Sequence, residues 1–273
     1  MSDAAPARFG VVGLGRMAQA LLLPLLEAGR LESAEVRAVV SSDASASALL
    51  AQKGFQDLAV GTDPAAAWRC PTVLLAVKPQ QLEMVAAQAP AADPAAPPLL
   101  ISVLAGVSLQ RLARLFPGRR LVRAVPNTPS LVGAGLTALA FGPGVEAEAR
   151  EWVQGLFARV GEVLELPEGQ LDAFLALTSS GPAFVALVAE AMADGAVAAG
   201  LPRSLAMHLA HRTLAGTAEL LHQRELHPGQ LKDMVSSPAG TTIAGLRRLE
   251  SAALRSALIE AVLAAAERSR ELA

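Results

Sequence analysis

The chain has no tyrosine, one cysteine, only three lysines among its 23 basic residues, and no block of like charges. The lack of tyrosine excludes a phenol from any catalytic role. A lone cysteine, Cys70, excludes an intrachain disulfide and fits a reducing compartment. It stands in Trp68-Arg69-Cys70-Pro71, just before an apolar run, and reads as a small buried residue rather than a nucleophile. The net charge is −2, with 25 acidic residues against the 23 basic ones, so no basic face is expected and nucleic acid is a poor partner. The start, MSDAAPARFG, lacks the charged-then-apolar order of a signal peptide. The most hydrophobic helical stretch, Pro182–Gly200, carries Glu190 and Asp194, whereas a bilayer span needs ~20 largely apolar residues. These absences together predict a soluble, cytoplasmic protein with no membrane partner. The four histidines complete no metal site. His208 and His211 are spaced i, i+3 but lack a third ligand, His222 reads as surface or interface, and His227 precedes Pro228 as a helix start.

What is present is apolar material, 52% of the 273 residues, enough for two cores and a subunit interface. The first half alternates short β-like runs with helical segments. Strands are expected at Arg8–Gly13, Val36–Val40, Thr72–Val77, Leu99–Val103, Leu121–Val125 and Leu136–Phe141, with helices over Gly15–Gly29 and up to Gly54. A helix at Ala147–Val160 and a short strand at Glu162–Leu166 close the series. Such alternation predicts a doubly wound α/β domain with a parallel sheet covered on both faces. Beyond Pro167 only helical patterns remain, punctuated at Gly181-Pro182, Gly200-Leu201-Pro202, His227-Pro228-Gly229 and Pro238-Ala239-Gly240. The expected division is therefore 1–166 and 167–273. Pro182–Gly200 is apolar nearly all round, so the helical part is expected to be covered by a second subunit.

Gly13-Leu14-Gly15-Arg16-Met17-Ala18 follows the first strand and opens the first helix. This is the dinucleotide fingerprint in its required setting. The first glycine makes the turn, the second admits the pyrophosphate, and the small third residue lets the helix pack close. Arg16, Met17 and Ala18 supply helix N–H groups to the phosphates. The second strand ends in Ser41-Ser42-Asp43. Hydroxyls where an acid would contact the ribose favour NADP(H), with NAD(H) possible through Asp43; the plain alternative is a helix cap. Val77-Lys78-Pro79 ends another strand at the ligand-bearing end of such sheets, and Lys78 is one of so few lysines that a generic surface role explains it poorly. Pro126 and Pro129 bracket Asn127-Thr128, a rigid polar shelf able to hold the nicotinamide, or a structural turn. Ser237-Pro238-Ala239-Gly240-Thr241-Thr242 leads into a helix near Thr241. Its N–H groups and helix dipole offer a carboxylate site without a basic side chain, against the plain alternative of a Ser/Thr cap.

Val125–Pro129, Ser179–Phe184, His227–Asp233 and Val235–Thr242, taken in order with the fingerprint and Ala76-Val77-Lys78-Pro79, closely resemble the pyrroline-5-carboxylate reductases over essentially the whole chain. The resemblance implies a Rossmann domain, a helical dimerisation domain, an NAD(P)H cofactor, and reduction of 1-pyrroline-5-carboxylate to proline. It also suggests homodimers that assemble further into rings. Members of the family often carry tyrosine where this chain has Phe184, and Pro-Gly-Gly where it has Pro238-Ala239-Gly240. Alanine there should fit unless its φ is positive.

Resemblance and chemistry together assign Thr242 to the imine nitrogen, Glu225 to pairing with Lys78 or to iminium stabilisation, and Ser237, Ala239, Gly240 and Thr241 to the substrate. A protonated cyclic imine is already electrophilic, so positioning two ligands and shielding them from water is most of the task. Two rivals share the plan. A hydroxyacid- or prephenate-type dehydrogenase needs a Lys or His acid–base, and the helical part offers only Lys232 as a lysine. A non-catalytic cofactor sensor would have no use for the Thr241-Thr242 loop.

Overall fold

A computed structural model of the chain describes residues 7–272; the first six residues, on which the reading of the amino terminus partly rests, lie outside them. The chain forms two compact units, Met1–Ser179 with Ala265–Ala273, and Ser180–Ala264.

The first unit is built on one eight-stranded sheet ordered β3-β2-β1-β4-β5-β6-β7-β8. Its strands are β1 (Phe9–Val12), β2 (Val36–Val39), β3 (Ala59–Gly61), β4 (Thr72–Leu75), β5 (Leu99–Ser102), β6 (Arg120–Val125), β7 (Gly135–Phe141) and β8 (Gly161–Glu165). The helices between them are α1 (Arg16–Glu27), α2 (Asp43–Leu50), α3 (Ala65–Trp68), α4 (Leu82–Ala86), α5 (Leu109–Leu115) and α6 (Ala147–Phe157), with α7 (Leu171–Thr178) following β8. β1 and β5 are buried at every position, as expected of strands covered on both faces. One apolar cluster gathers Val11, Leu22, Val36, Ile101 and Leu139 on one side; another gathers Trp68, Leu75, Leu82, Leu100 and Leu112 on the other. Cys70 is 1% exposed and burial pushes its thiol up, which removes it from nucleophilic chemistry.

The sheet departs from expectation in two ways. β3 is an additional edge strand of three residues, paired parallel to β2. β7 runs antiparallel to β6, with Val122 opposite Phe141 and Val125 opposite Ala138, so the sheet is mixed rather than wholly parallel. α7 packs on the sheet through Leu171, which clusters with Val125, Ala138 and Ala140. The compact units divide at Ser179/Ser180, and the composition change at 166/167 marks where the all-helical part of the sequence begins.

α7 is also bound to the sheet by polar contacts. Arg123, 4% exposed, lies 3.3 Å from Glu168 and 3.6 Å from Asp172. Glu168 accepts the Leu109 N–H at 2.6 Å, and Asp172 accepts the Ser269 hydroxyl at 2.7 Å. This last bond, with Leu272 against Gly106, explains why the chain's final turn belongs to the sheet unit.

The second unit is helical: α8 (Gly181–Ala198), α9 (Arg203–Gln223), α10 (Pro228–Met234), α11 (Thr241–Ser251) and most of α12 (Leu254–Glu271). Its core within one chain is small, consisting of Ala193, Ala206 and Ala210 where α8 meets α9. Large apolar side chains remain exposed, among them Leu187 at 66%, Met234 at 68% and Leu263 at 56%.

Candidate active site

The strand order reverses between β1 and β4, so the crevice at their carboxyl ends is where a doubly wound sheet takes its ligand. The turn after β1 is shaped for close backbone approach. Gly13 has φ +90°, and a Cβ there would lie 2.8 Å from the Ala76 carbonyl oxygen and from Val77 Cγ1. The geometry thus brings Gly13 and Val77 together and forbids a larger residue. At Gly15 a Cβ would meet nothing within 4 Å, so the turn opens onto free space. Ala18 is fully buried and Met17 packs against the core. α1 starts at Gly15 with no side-chain cap and no acidic residue in its first turn. Its leading N–H groups therefore stand unsatisfied at the positive end of the helix, flanked by exposed Arg16. An open cradle, an uncapped helix and no nearby acid on that turn fit a dinucleotide pyrophosphate. Gln19, which the sequence did not single out, fixes the turn by donating from Nε2 to the Leu14 carbonyl at 3.0 Å.

After β2, Ser41 and Ser42 are both exposed. Ser42 caps α2, its Oγ accepting from Ser45 N at 3.2 Å and pairing with Ser45 Oγ at 2.9 Å, while Asp43 occupies the first turn. Capping does not occupy Ser41. Lys78 and Pro79 follow β4, where Lys78 is exposed and its backbone N–H donates to Gln81 Oε1 at 3.4 Å.

Asn127 is 4% exposed and has a structural task. Its Nδ2 donates to the Thr178 carbonyl at 2.9 Å, and its Oδ1 accepts from Leu136 N at 2.8 Å. Ser179 Oγ donates to the Pro126 carbonyl beside it at 3.3 Å. The amide of Asn127 thus ties β7 and α7 to the end of β6, and the exposed side chain of that shelf is Thr128.

In the helical unit, the loop before α11 is a turn closed by Gly240 N donating to the Ser237 carbonyl at 3.0 Å. Pro238 and Ala239 are its central residues, and Ala239 has φ +57°. The condition on which alanine would fit is therefore not met: its Cβ is held in the left-handed region that glycine adopts freely. Ser237 Oγ lies directly over the Cα of Gly240, where a Cβ could not be placed. α11 then begins with Gly240 as its cap residue, no side-chain cap and no acid in the first turn. Neither threonine is the cap residue, so an ordinary Ser/Thr cap does not describe the loop. Among the described residues, neither the Thr241 nor the Thr242 hydroxyl makes a hydrogen bond. Free N–H groups and two free hydroxyls suit a carboxylate with an adjacent hydrogen-bonding atom.

Glu225 has a conformational explanation that the sequence did not disclose. Its N–H donates to the His222 carbonyl at 3.3 Å and that of Leu226 to Leu221 at 3.1 Å, the pattern that ends an α-helix with a left-handed residue. Glu225 has φ +48° in that role, whereas Gly29 and Gly200 serve it after α1 and α8. His227 acts as a helix start, Nδ1 accepting from Gly229 N at 3.1 Å.

Relaxing the strained turn has a measurable outcome. Ala239→Gly is expected to raise the melting temperature by roughly 2–4 °C, because a left-handed alanine costs about 1 kcal/mol over glycine. An unchanged or lower melting temperature would show that the turn carries no such strain.

Residues 168–272 match the family model described as pyrroline-5-carboxylate reductase dimerisation, and residues 8–106 match that described as NADP oxidoreductase, coenzyme F420-dependent. The pyrroline-5-carboxylate reductase of Synechocystis is 46% identical over 265 residues, covering 97% of this chain and 98% of that protein. That of Thermus thermophilus is 42% identical over 273 residues, covering 97% and 98%. Among solved structures, the Plasmodium falciparum pyrroline carboxylate reductase with NADP bound superposes with a TM-score of 0.86 at 27% identity, covering 97% of this chain and 98% of that one. The Streptococcus pyogenes 1-pyrroline-5-carboxylate reductase gives 0.84 at 27% identity, covering 97% and 98%. Identity at this level along nearly the full length of both partners, with both halves matched, means that the chain belongs to the pyrroline-5-carboxylate reductase family.

Proposed function

We propose that this chain is an NADPH-dependent reductase that adds hydride to the C=N carbon of 1-pyrroline-5-carboxylate, giving L-proline. The observation that carries the reading is the start of α11: an uncapped helix led by Gly240, with two unbonded threonine hydroxyls and no basic side chain required. The cofactor, when bound, supplies the hydride. Gly13, Gly15, Arg16, Met17 and Ala18 hold its pyrophosphate, Ser41 and Ser42 its ribose end, and Val77, Lys78, Pro79 and Thr128 border the nicotinamide side, where Asn127 keeps the shelf in place. The N–H groups of Ala239, Thr241 and Thr242 and the Ser237 hydroxyl hold the substrate carboxylate beside Gly240, whose own N–H closes the turn, and Thr242 Oγ1 accepts the hydrogen of the protonated imine nitrogen. Glu225 and Lys78 are assigned to charge stabilisation during reduction. Glu225→Gln tests the charge alone.

The test is NADPH oxidation with pyrroline-5-carboxylate beside a panel of keto acids. Turnover confined to the imine is expected; preference for a keto acid would overturn the reading in favour of a hydroxyacid dehydrogenase. Steady-state kinetics with both cofactors should give the higher kcat/KM with NADPH, since hydroxyls rather than an acid end β2. A higher value with NADH would point to Asp43 on the ribose.

The helical unit is proposed to form a homodimer, with larger rings built from dimers, in the cytoplasm. The segment Glu168–Ala198 is long and apolar enough to cross a membrane by length and composition, yet Leu171 and Ala176 are buried on the sheet unit and the family model names the region for dimerisation. A partner subunit is the cover those exposed side chains require. Light scattering should show no active monomer at micromolar concentration; a stable active monomer refutes the dimer.

A further inference from the structure

Between Arg16 and Glu27, α1 carries one polar side chain, that of Gln19. It is half-buried, and an amide that gives up water needs a partner. The partner is the fingerprint turn, to which Gln19 is joined twice. Its backbone N–H donates to the Gly15 carbonyl at 2.9 Å, opening the helix. Its Nε2 reaches one residue further back, to the Leu14 carbonyl at 3.0 Å. That carbonyl lies ahead of the helical ladder, and among the described residues no main-chain N–H reaches it.

The side-chain bond sets the plane of one peptide. A peptide is planar and trans, so its C=O and N–H point in opposite directions. With the Leu14 carbonyl drawn onto Gln19, the N–H of the same peptide, which belongs to Gly15, is aimed the other way. Among the described residues that N–H donates to no main-chain carbonyl. Leu14 is buried and anchored in the core, but Gly15 has no Cβ to resist rotation, and the space around it is open. Without Gln19 the peptide can turn over, exchanging an N–H for a carbonyl oxygen at the mouth of the turn. Towards a phosphate, that exchange replaces attraction by repulsion.

We infer that Gln19 is a positioning residue for the cofactor's pyrophosphate, holding the Leu14–Gly15 peptide with its N–H towards the open side of the turn. It acts through the turn and not on the reacting atoms. The inference rests on the dinucleotide reading of Gly13–Ala18. The fingerprint does not contain Gln19, since its last residue is Ala18, one position short.

Gln19→Met keeps the reach and packing of the side chain and removes the donor. Titration of NADPH fluorescence should give a Kd about three- to tenfold above wild type, the worth of one neutral hydrogen bond. KM for NADPH should rise with it, while kcat at saturating NADPH stays within about twofold, the pattern of lost ground-state binding. A glutamine that merely supports the fold predicts a lower melting temperature with an unchanged Kd, and that result overturns the inference alone. A wild type that binds no NADPH takes the inference down together with the dinucleotide reading. A crystal structure of the wild-type NADPH complex stands even if the variant fails to fold. It should show the Leu14 carbonyl still on Gln19, and a Leu14 carbonyl turned towards the pyrophosphate overturns the inference.

Discussion

Replacing Thr242 with alanine is expected to lower kcat/KM for the imine by roughly ten- to a hundredfold, the loss of one hydrogen bond to a charged partner at ~1.5–3 kcal/mol. NADPH affinity should stay within about threefold, because the turn proposed to take the pyrophosphate lies in the sheet unit while Thr242 lies in the helical one. Thr242→Ser keeps the hydroxyl and should retain most of the activity. A purely structural role at the start of α11 makes a different forecast, with melting temperature falling and kcat/KM near normal. The structure weakens that alternative, because Gly240 is the cap residue and the Thr242 hydroxyl bonds to nothing in the described chain. Melting temperature, NADPH affinity and kcat/KM on both variants separate the two roles, and normal catalysis in the alanine variant sinks the assignment.

Arg123→Met should be among the most damaging changes in the sheet unit. Methionine has a similar reach, so little cavity is left. What is lost is the positive charge between Glu168 and Asp172, with Arg123 itself 4% exposed. Removing one partner of a buried ion pair costs 3–5 kcal/mol, and the low end applies here because the two carboxylates are 32% and 20% exposed. A loss of about 3 kcal/mol corresponds to roughly 6–12 °C in melting temperature. Neutralising the carboxylates as well, with Glu168→Gln and Asp172→Asn, should restore part of the loss. If Arg123→Met melts within about 2 °C of wild type, the ion pairs are too well solvated to matter.

The strands that build the crevice were legible because each is an apolar run bounded by Gly or Pro, and such runs leave a local trace. β3 was not: Ala59–Gly61 is a three-residue edge strand with an exposed first position, too short for any periodicity. Nor was the direction of β7. Its apolar run, Leu136–Phe141, looks the same whichever way it is laid, and pairing with β6 decides. The fingerprint turn could be read at single residues because its glycines answer to local backbone demands. Asn127 could not, since its partners Leu136 and Thr178 lie 9 and 51 residues away. The left-handed backbone at Ala239 and Glu225 was hidden for the opposite reason, as neither residue type advertises that conformation.

The reversal of β7 settles at which rim of the sheet α7 ends. β8 lies parallel to β7, so it too runs against β6 and leaves the sheet heading away from the crevice. α7 must then double back, from Asp172 beside Arg123 in mid-sheet to Thr178 and Ser179 beside Asn127 and Pro126, past the carboxyl end of β6. Had β7 joined the sheet in the common direction, β8 would have left at the crevice end, and a returning helix would have delivered the chain to the opposite rim. One flipped strand thus makes α7, the last helix of the sheet unit before Ser180, end at the rim where the fingerprint turn stands.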